Sequence, residues 1–302
     1  MDRSLILLSS LLIRVVALAQ PATPINPVSR SNNGPVTPET APRKIKATES
    51  PVCLKVYGLY GLLTPGVQIA NSDFFNLSNA AHTFQTANKG LGAGPRAGAG
   101  LGFIVSDFIN LGIDADILLG TDLKIINNQS DGRATYNSST TSTLKVLSVI
   151  PNITFKALSR PTYYIYNRLG LVGGVVQYKV VLDYIETVKG GGYVHETRTE
   201  NEYTKNSLAI GYQAALGIQF RFSRSLRGFA EIIAYNQSFR PKELTTITSR
   251  YSDGILSKVT QSVTEFSTQS TASAVSGLSV QQPTYNVPLN SVGVGAGLVF
   301  RF

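Results

Sequence analysis

Residues 290–302 read NSVGVGAGLVFRF. Val292, Val294, Ala296, Leu298, Phe300 and Phe302 fall on one parity, and Ser291, Gly293, Gly295, Gly297, Val299 and Arg301 on the other. Successive side chains of a strand point to opposite faces, so one face here is apolar and the other nearly bare. A soluble sheet would set Lys, Glu or Thr on its wet face. Glycine in those places suits a narrow interior without room for side chains, and the apolar face then turns outward, toward lipid. About a dozen alternating residues suffice for one tilted crossing of a bilayer.

The same alternation recurs upstream. Strands are expected over 52–64, 95–105, 111–121, 143–157, 163–176, 208–222 and 227–236, with the terminal strand as the eighth. In the second, Ala97, Ala99, Leu101, Phe103 and Val105 oppose Gly98, Gly100 and Gly102. In the sixth, Leu208, Ile210, Tyr212, Leu216, Ile218 and Phe220 oppose Gly211, Gln213, Gly217 and Gln219. Pro151 lacks a ladder donor, and a bulge is expected there. The connections alternate in length. Those near 106–110, 158–162 and 223–226 are short, while 65–94, 122–142, 177–206 and 237–286 are long and polar. Strand-like portions at 177–185 and 193–203 are expected to prolong two hairpins. An open sheet edge in hydrocarbon would leave backbone amides unpaired. The expected fold class is therefore all-β: a closed antiparallel up-and-down transmembrane β-barrel of eight strands, with ten as the alternative count.

Composition agrees. Charged residues are 15% of the 302 and apolar ones 43%. Outside the N-terminus no apolar run approaches the roughly eighteen residues of a membrane helix, while alternation hides a barrel from such a test. The net charge is +9, but the basic residues are scattered with no reading motif, so no nucleic-acid partner is expected. Cys53 is the single cysteine, which excludes an intrachain disulfide and reads as a small apolar residue at the start of a strand. At the N-terminus, Arg3, the apolar stretch Leu5 to Ile13 and the A-x-A site Ala17-Leu18-Ala19 form an export signal. The expected organisation is a signal peptide at 1–19, a flexible Pro/Thr-rich periplasmic segment at 20–51, and the barrel at 52–302.

Aromatic residues gather near the short-turn ends, at Phe103, Phe108, Phe155, Tyr163, Phe220, Phe222, Phe300 and Phe302. An interfacial girdle belongs there. Lys55, Lys156, Arg160, Arg221, Arg224, Arg227 and Arg301 collect at the same rim. There they avoid the roughly 2–4 kcal/mol that a lipid-facing Arg costs at the midplane. With this exported start, this strand spacing and a glycine-alternating last strand ending in Phe302, the chain resembles the small outer-membrane β-barrel family, of the OmpX, OmpW and OmpA-barrel kind, over about residues 52 to 302. The resemblance implies the outer membrane of a Gram-negative bacterium, with contact to outer-membrane lipid and lipopolysaccharide. It also implies insertion by the barrel assembly machinery, with Phe300 and Phe302 matching the insertion signal, and a monomer.

No metal motif, phosphate loop or nucleotide fingerprint occurs, and no cofactor is expected. The stretch GAGPRAGAGLG lies in a strand with no helix after it, so its glycines read as room for a lumen. His82 and His195 fall in expected external loops, and nothing in the sequence sets either beside a nucleophile; no catalytic residue is assigned. Asp114, Asp116, Arg168 and Glu231 are expected inside the ring at similar heights. An eight-stranded lumen is just wide enough for side chains to fill it, and a lone buried charge is costly, so these groups are expected to pair into a polar plug. The leading functional expectation is a non-enzymatic barrel whose external loops contact surface ligands or partners. A narrow channel for small solutes, a lipid-modifying enzyme and a soluble secreted β sandwich are the alternatives.

Overall fold

The computed structural model describes residues 51–64, 69–76, 81–87, 90–131, 133–268 and 279–302. The expected signal peptide, and all but the last residue of the expected periplasmic segment, lie outside the described residues. All regular structure among the described residues is strand. In chain order these are β1 (Val52–Leu63), β2 (Ile69–Asn76), β3 (Ala81–Ala87), β4 (Gly94–Ile104), β5 (Ile109–Leu119), β6 (Leu123–Ser130), β7 (Ala134–Ser159) and β8 (Tyr163–Val188). They continue as β9 (Val194–Asn206), β10 (Ala209–Arg221), β11 (Leu226–Phe239), β12 (Pro241–Ser252), β13 (Ile255–Ser267), β14 (Ser279–Pro283), β15 (Val287–Pro288) and β16 (Ser291–Arg301).

Eight of these strands form a ring of antiparallel pairings. Its order is β1, β4, β5, β7, β8, β10, β11 and β16, and β16 pairs β1 again. Register follows the alternation read from the sequence. Val56 stands opposite Leu298 on one side and Ala99 on the other, so outward residues meet outward residues. Short turns join β4 to β5, β7 to β8 and β10 to β11. Ser106 Oγ accepts from the amides of Phe108 and Ile109 (3.3 and 3.1 Å), and Ser223 Oγ from those of Ser225 and Leu226 (3.3 and 3.0 Å). Each serine closes its turn by mimicking a backbone acceptor.

The other end grows taller than the expected loops allow. β7 and β8 each run 26 residues and stay paired from Ala134 with Val188 down to Ser159 with Tyr164. β9 pairs the upper half of β8 and leads into β10, which pairs the lower half. β12 continues from β11 and pairs β9, and β13 follows by a tight turn at Asp253 and Gly254, both with positive φ. Much of the stretches 122–142, 177–206 and 237–286 is therefore strand, not loop. The β-branched and Thr-rich runs there carry strand propensity, and long neighbouring strands supply the pairing edge. The expected bulge at Pro151 is absent. Pro151 keeps its partner Ile113 on β5, and the β8 ladder skips Ile150 and Pro151 without a shift. The register shift falls at Lys156 to Leu158, where the strand enters its turn.

The polarity of the ring is inverted relative to a soluble protein. Leu171 is 69% exposed, Ile210 67%, Ile113 60% and Leu298 41%, while Asp114, Asp116, Arg168 and Glu231 are buried. Bulky apolar residues clothe the outside, and glycines on the inner parity make room within. At Gly293 the backbone packs so closely that a Cβ would stand 2.1 Å from the Tyr60 carbonyl oxygen. Gly293→Val should therefore lower the melting temperature of the folded form, at a cost of about 1–3 kcal/mol for overpacking. Ala296→Val, on the exposed parity of the same strand, should leave it unchanged. Gel mobility against temperature, without boiling, measures both; equal melting of the two variants would contradict the inward assignment.

Candidate functional site

The interior of the ring is layered along its axis. β5 climbs from its turn with Asp114, Asp116 and Leu118 on successive inward positions, and β8 climbs with Tyr164, Tyr166 and Arg168. Alternation in each strand sets which residues point inward; ring order sets which of them meet.

Around Arg168 the lower layer gathers. Arg168 Nη1 donates to Asp114 Oδ2 at 2.5 Å, and Nη2 donates to Glu231. Lys55 from β1 also reaches Asp114, and the Tyr166 hydroxyl donates to Glu231 Oε2 at 2.9 Å. β5 and β11 lie on opposite sides of the ring, so one guanidinium ties two carboxylates from facing walls. The planar fork of Arg suits this double contact.

Asp116 heads the layer above. It pairs with Arg96 of β4 at 3.2 Å and accepts from the Tyr235 hydroxyl at 3.0 Å. The Arg96 guanidinium stacks 4.1 Å from the Tyr235 ring centre. Three cations, Lys55, Arg96 and Arg168, thus face three carboxylates, Asp114, Asp116 and Glu231. Matched burial of this kind avoids the large cost of an isolated interior charge. Glycines create the space: a Cβ at Gly98 would stand 2.6 Å from the Tyr57 ring, and one at Gly217 2.4 Å from that of Tyr166.

Above both layers the lumen is mainly apolar, with buried Gln237 donating to the Ala209 carbonyl at 3.0 Å. Leu118, Leu144, Val146, Val176, Phe239 and Leu289 form one buried cluster there. Below them, toward the short turns, a cavity of about 80 Å³ is lined by residues including Lys55, Asp114, Asn152, Lys156 and Arg227.

Of the sequence candidates, Asp114, Arg168 and Glu231 meet in one network, and Asp116 meets Arg96 instead. The sequence reading did not single out Arg96, Tyr57, Tyr166 or Tyr235. Arg96 shares parity with Gly98 and Gly100, so alternation alone could have found it. Lys55 lies where apolar residues occupy both parities, and register is needed to turn it inward. Phe300 and Phe302 point outward at the short-turn rim, exposed. His195 stands in β9 opposite Glu186 and Ser252, and His82 lies in β3. Among the described residues, no group of three His, Cys, Asp or Glu is arranged to hold a metal ion.

The tall outer sheet has its own electrostatics. Glu200 accepts from Lys179 (2.7 Å) and Arg198 (3.0 Å), and these bonds hold its carboxyl below the usual carboxylate range. Lys205 (2.5 Å) and Thr204 (2.8 Å) do the same for Glu243. These pairs join β8 to β9 and β9 to β12.

No protein-family model matches the chain, and no curated protein matches it. Solved structures similar to it include CarO2 of Acinetobacter baumannii, at 13% identity and a TM-score of 0.29, covering 84% of this chain and 99% of that one. The outer membrane protease OmpT from Escherichia coli is similar at 10% identity and a TM-score of 0.24, covering 84% and 94%. The CymD monoaromatic hydrocarbon channel is similar at 6% identity and a TM-score of 0.19, covering 84% and 89%.

Two outcomes follow from this geometry. Arg168→Ala leaves buried Glu231 without its cation and Asp114 with Lys55 alone, and should cost about 3–5 kcal/mol of stability, read as an early heat transition on an unboiled gel. A melting temperature equal to the wild type would remove the cross-brace from the account. The pH effect has a definite sign. Glu200 and Glu243 have lowered folded-state pKa values, so their stabilisation is complete above the usual carboxylate range and lost as pH falls through the lowered values. Backbone hydrogen exchange, corrected for intrinsic rates, should quicken in β9 and β12 between about pH 7 and about pH 3, with the ring protected throughout. Unchanged protection in β9 and β12 would show that these pairs contribute nothing.

Proposed function

We propose that this chain is an integral outer-membrane β-barrel of eight strands, closed and filled, which holds a tall sheet at the cell surface for contact with ligands or partners. The observation that carries the reading is the inverted polarity of the ring: ion pairs inside, a continuous apolar belt outside. In water such a belt would be a very large exposed apolar patch. In a bilayer it is solvated, and the pairing of β16 back to β1 leaves no open backbone edge in hydrocarbon.

In this reading the barrel is not an open pore. Two ionic layers and the apolar cluster above them occupy the lumen, so solute has no continuous polar path. The role in this reading is non-enzymatic. Contact with lipopolysaccharide has support at the outer rim, where Lys205, Arg240 and Lys242 border a groove with exposed Leu208 and Ile210. Cations directly above apolar side chains suit a phosphorylated lipid. The exposed rings of Phe300 and Phe302 suit recognition by the assembly machinery, and a ring that pairs with itself needs no second copy.

Purified full-length protein should require detergent, float with vesicles, and give no steady conductance in a planar bilayer. Recovery in the soluble phase without detergent would overturn the membrane reading. Steady openings that depend on the protein would overturn the filled lumen in favour of a narrow channel.

A further inference from the structure

The short-turn half of the lumen holds a chamber that the charge network does not fill. Its volume is about 80 Å³, and residues of all eight ring strands line it. A water-sized position takes roughly 15 Å³ of such volume, so the chamber has room for about five. Asp114 and Arg168 form its ceiling. Toward the turns it shares Lys156, Tyr164 and Gln219 with a wider cavity of about 410 Å³ at the mouth of the ring.

Three donors on neighbouring strands line this space. On β7, Lys156 makes no ion pair among the described residues, and its ammonium stands 5.3 Å from the centre of the Tyr164 ring. On β10, Gln219 accepts the Tyr164 hydroxyl on its Oε1, which leaves its amide N–H groups. On β8, Arg168 is 3% exposed; both Nη atoms hold carboxylates, and its Nε–H is buried with no partner. A buried donor without an acceptor is costly. Tyr166 stands opposite Lys156 and Tyr164 opposite Gln219, at the next two inward positions below Arg168. Long side chains from these successive levels reach one space.

Charge points the same way. Lys55, Lys156, Arg168, Arg227 and Arg301 are in the lining, and among the described residues Asp114 is its one acid. Asp114 and Glu231 already match Lys55 and Arg168. Arg227 and Arg301 hold contacts of their own, Arg227 with the Tyr164 oxygen, so their part is positive potential and not a vacant donor. A cation beside amide and guanidinium N–H groups suits an anion with several oxygens. Donors spread over three strands suit oxygens held apart by a central atom, and five heavy atoms fill the room available. Eight paired strands separate the chamber from lipid, so the ligand is a free anion that enters through the mouth.

We infer that this chamber binds a tetrahedral oxyanion of the size of phosphate, which enters from the short-turn end and stops below the Arg168 brace. The site rests on the closed ring proposed above and not on what the outer sheet contacts. The test is equilibrium dialysis of full-length protein in detergent against inorganic phosphate at constant ionic strength. One phosphate should bind per chain. K156Q should weaken binding about tenfold, the worth of one hydrogen bond to a charged group, and K156R should retain it. Q219E keeps the acceptor for Tyr164 but sets a carboxylate in the chamber, and should abolish binding. K258Q, on the outer sheet, should bind as wild type. Unboiled gels establish that each variant is folded.

Wild-type protein that retains no phosphate overturns the inference without any variant. Equal retention by wild type, K156Q and Q219E puts the anion elsewhere and also overturns it. Displacement of phosphate by an equal concentration of chloride leaves only unspecific charge, and the oxyanion assignment fails. Displacement by short-chain phosphatidylglycerol makes the ligand a lipid headgroup, and the free-anion assignment fails. A wild-type chain whose gel mobility does not change on boiling is scored first, and it counts against the closed ring itself.

Discussion

A charge enclosed by a narrow ring of strands must find its partner on another strand, because little water is available to it. This constraint organises the interior. Asp114 and Glu231 project from facing walls, and Arg168 reaches both. Tyr235 crosses the same span to Asp116. Hydrogen bonds of the ladder hold only neighbouring strands, whereas these contacts hold strands that are far apart around the ring. They brace the cross-section that the ladders leave free to deform. Glycines follow from the same constraint: the Tyr57, Tyr166 and Phe229 rings lie over Gly98, Gly217 and Gly297.

The two ends of the ring obey different rules. At the short-turn end, serine-closed turns stop the strands abruptly, and cations and aromatic rings gather where a bilayer would meet water. At the other end the strands do not stop. β8 keeps pairing past the ring into β9, and β12 prolongs β11, so the outer sheet grows from the ring's own ladders. Its ion pairs are exposed and solvated. Its position depends on backbone continuity with the ring more than on those pairs.

Alternation along single strands carried much of the reading. In NSVGVGAGLVFRF it assigns Leu298 and Phe300 to one face and Gly293, Gly295 and Gly297 to the other, and the structure exposes the first set. The outer half was less legible. Runs such as 177–188 mix charged, aromatic and β-branched residues without clean alternation, because their faces are not divided between lipid and lumen. Polar composition made them read as loops. Pro151 misled for a related reason: the ladder absorbed the missing donor as a local gap, a choice made by the partner strands and not by proline itself.

What the sequence alone determined is which face the side chains of the cleanly alternating strands take, since a period of two is a local property of an extended backbone. It also determined where the chain turns, through short Ser-bearing breaks between apolar strands. Only the tertiary structure decided that Asp114 meets Arg168 and Lys55 while Asp116 meets Arg96 and Tyr235, and that Arg221, Arg227 and Lys156 share a cavity. Those meetings depend on register and on the order of strands around the ring, which place residues distant in sequence at one height. No local pattern in the chain contains that information.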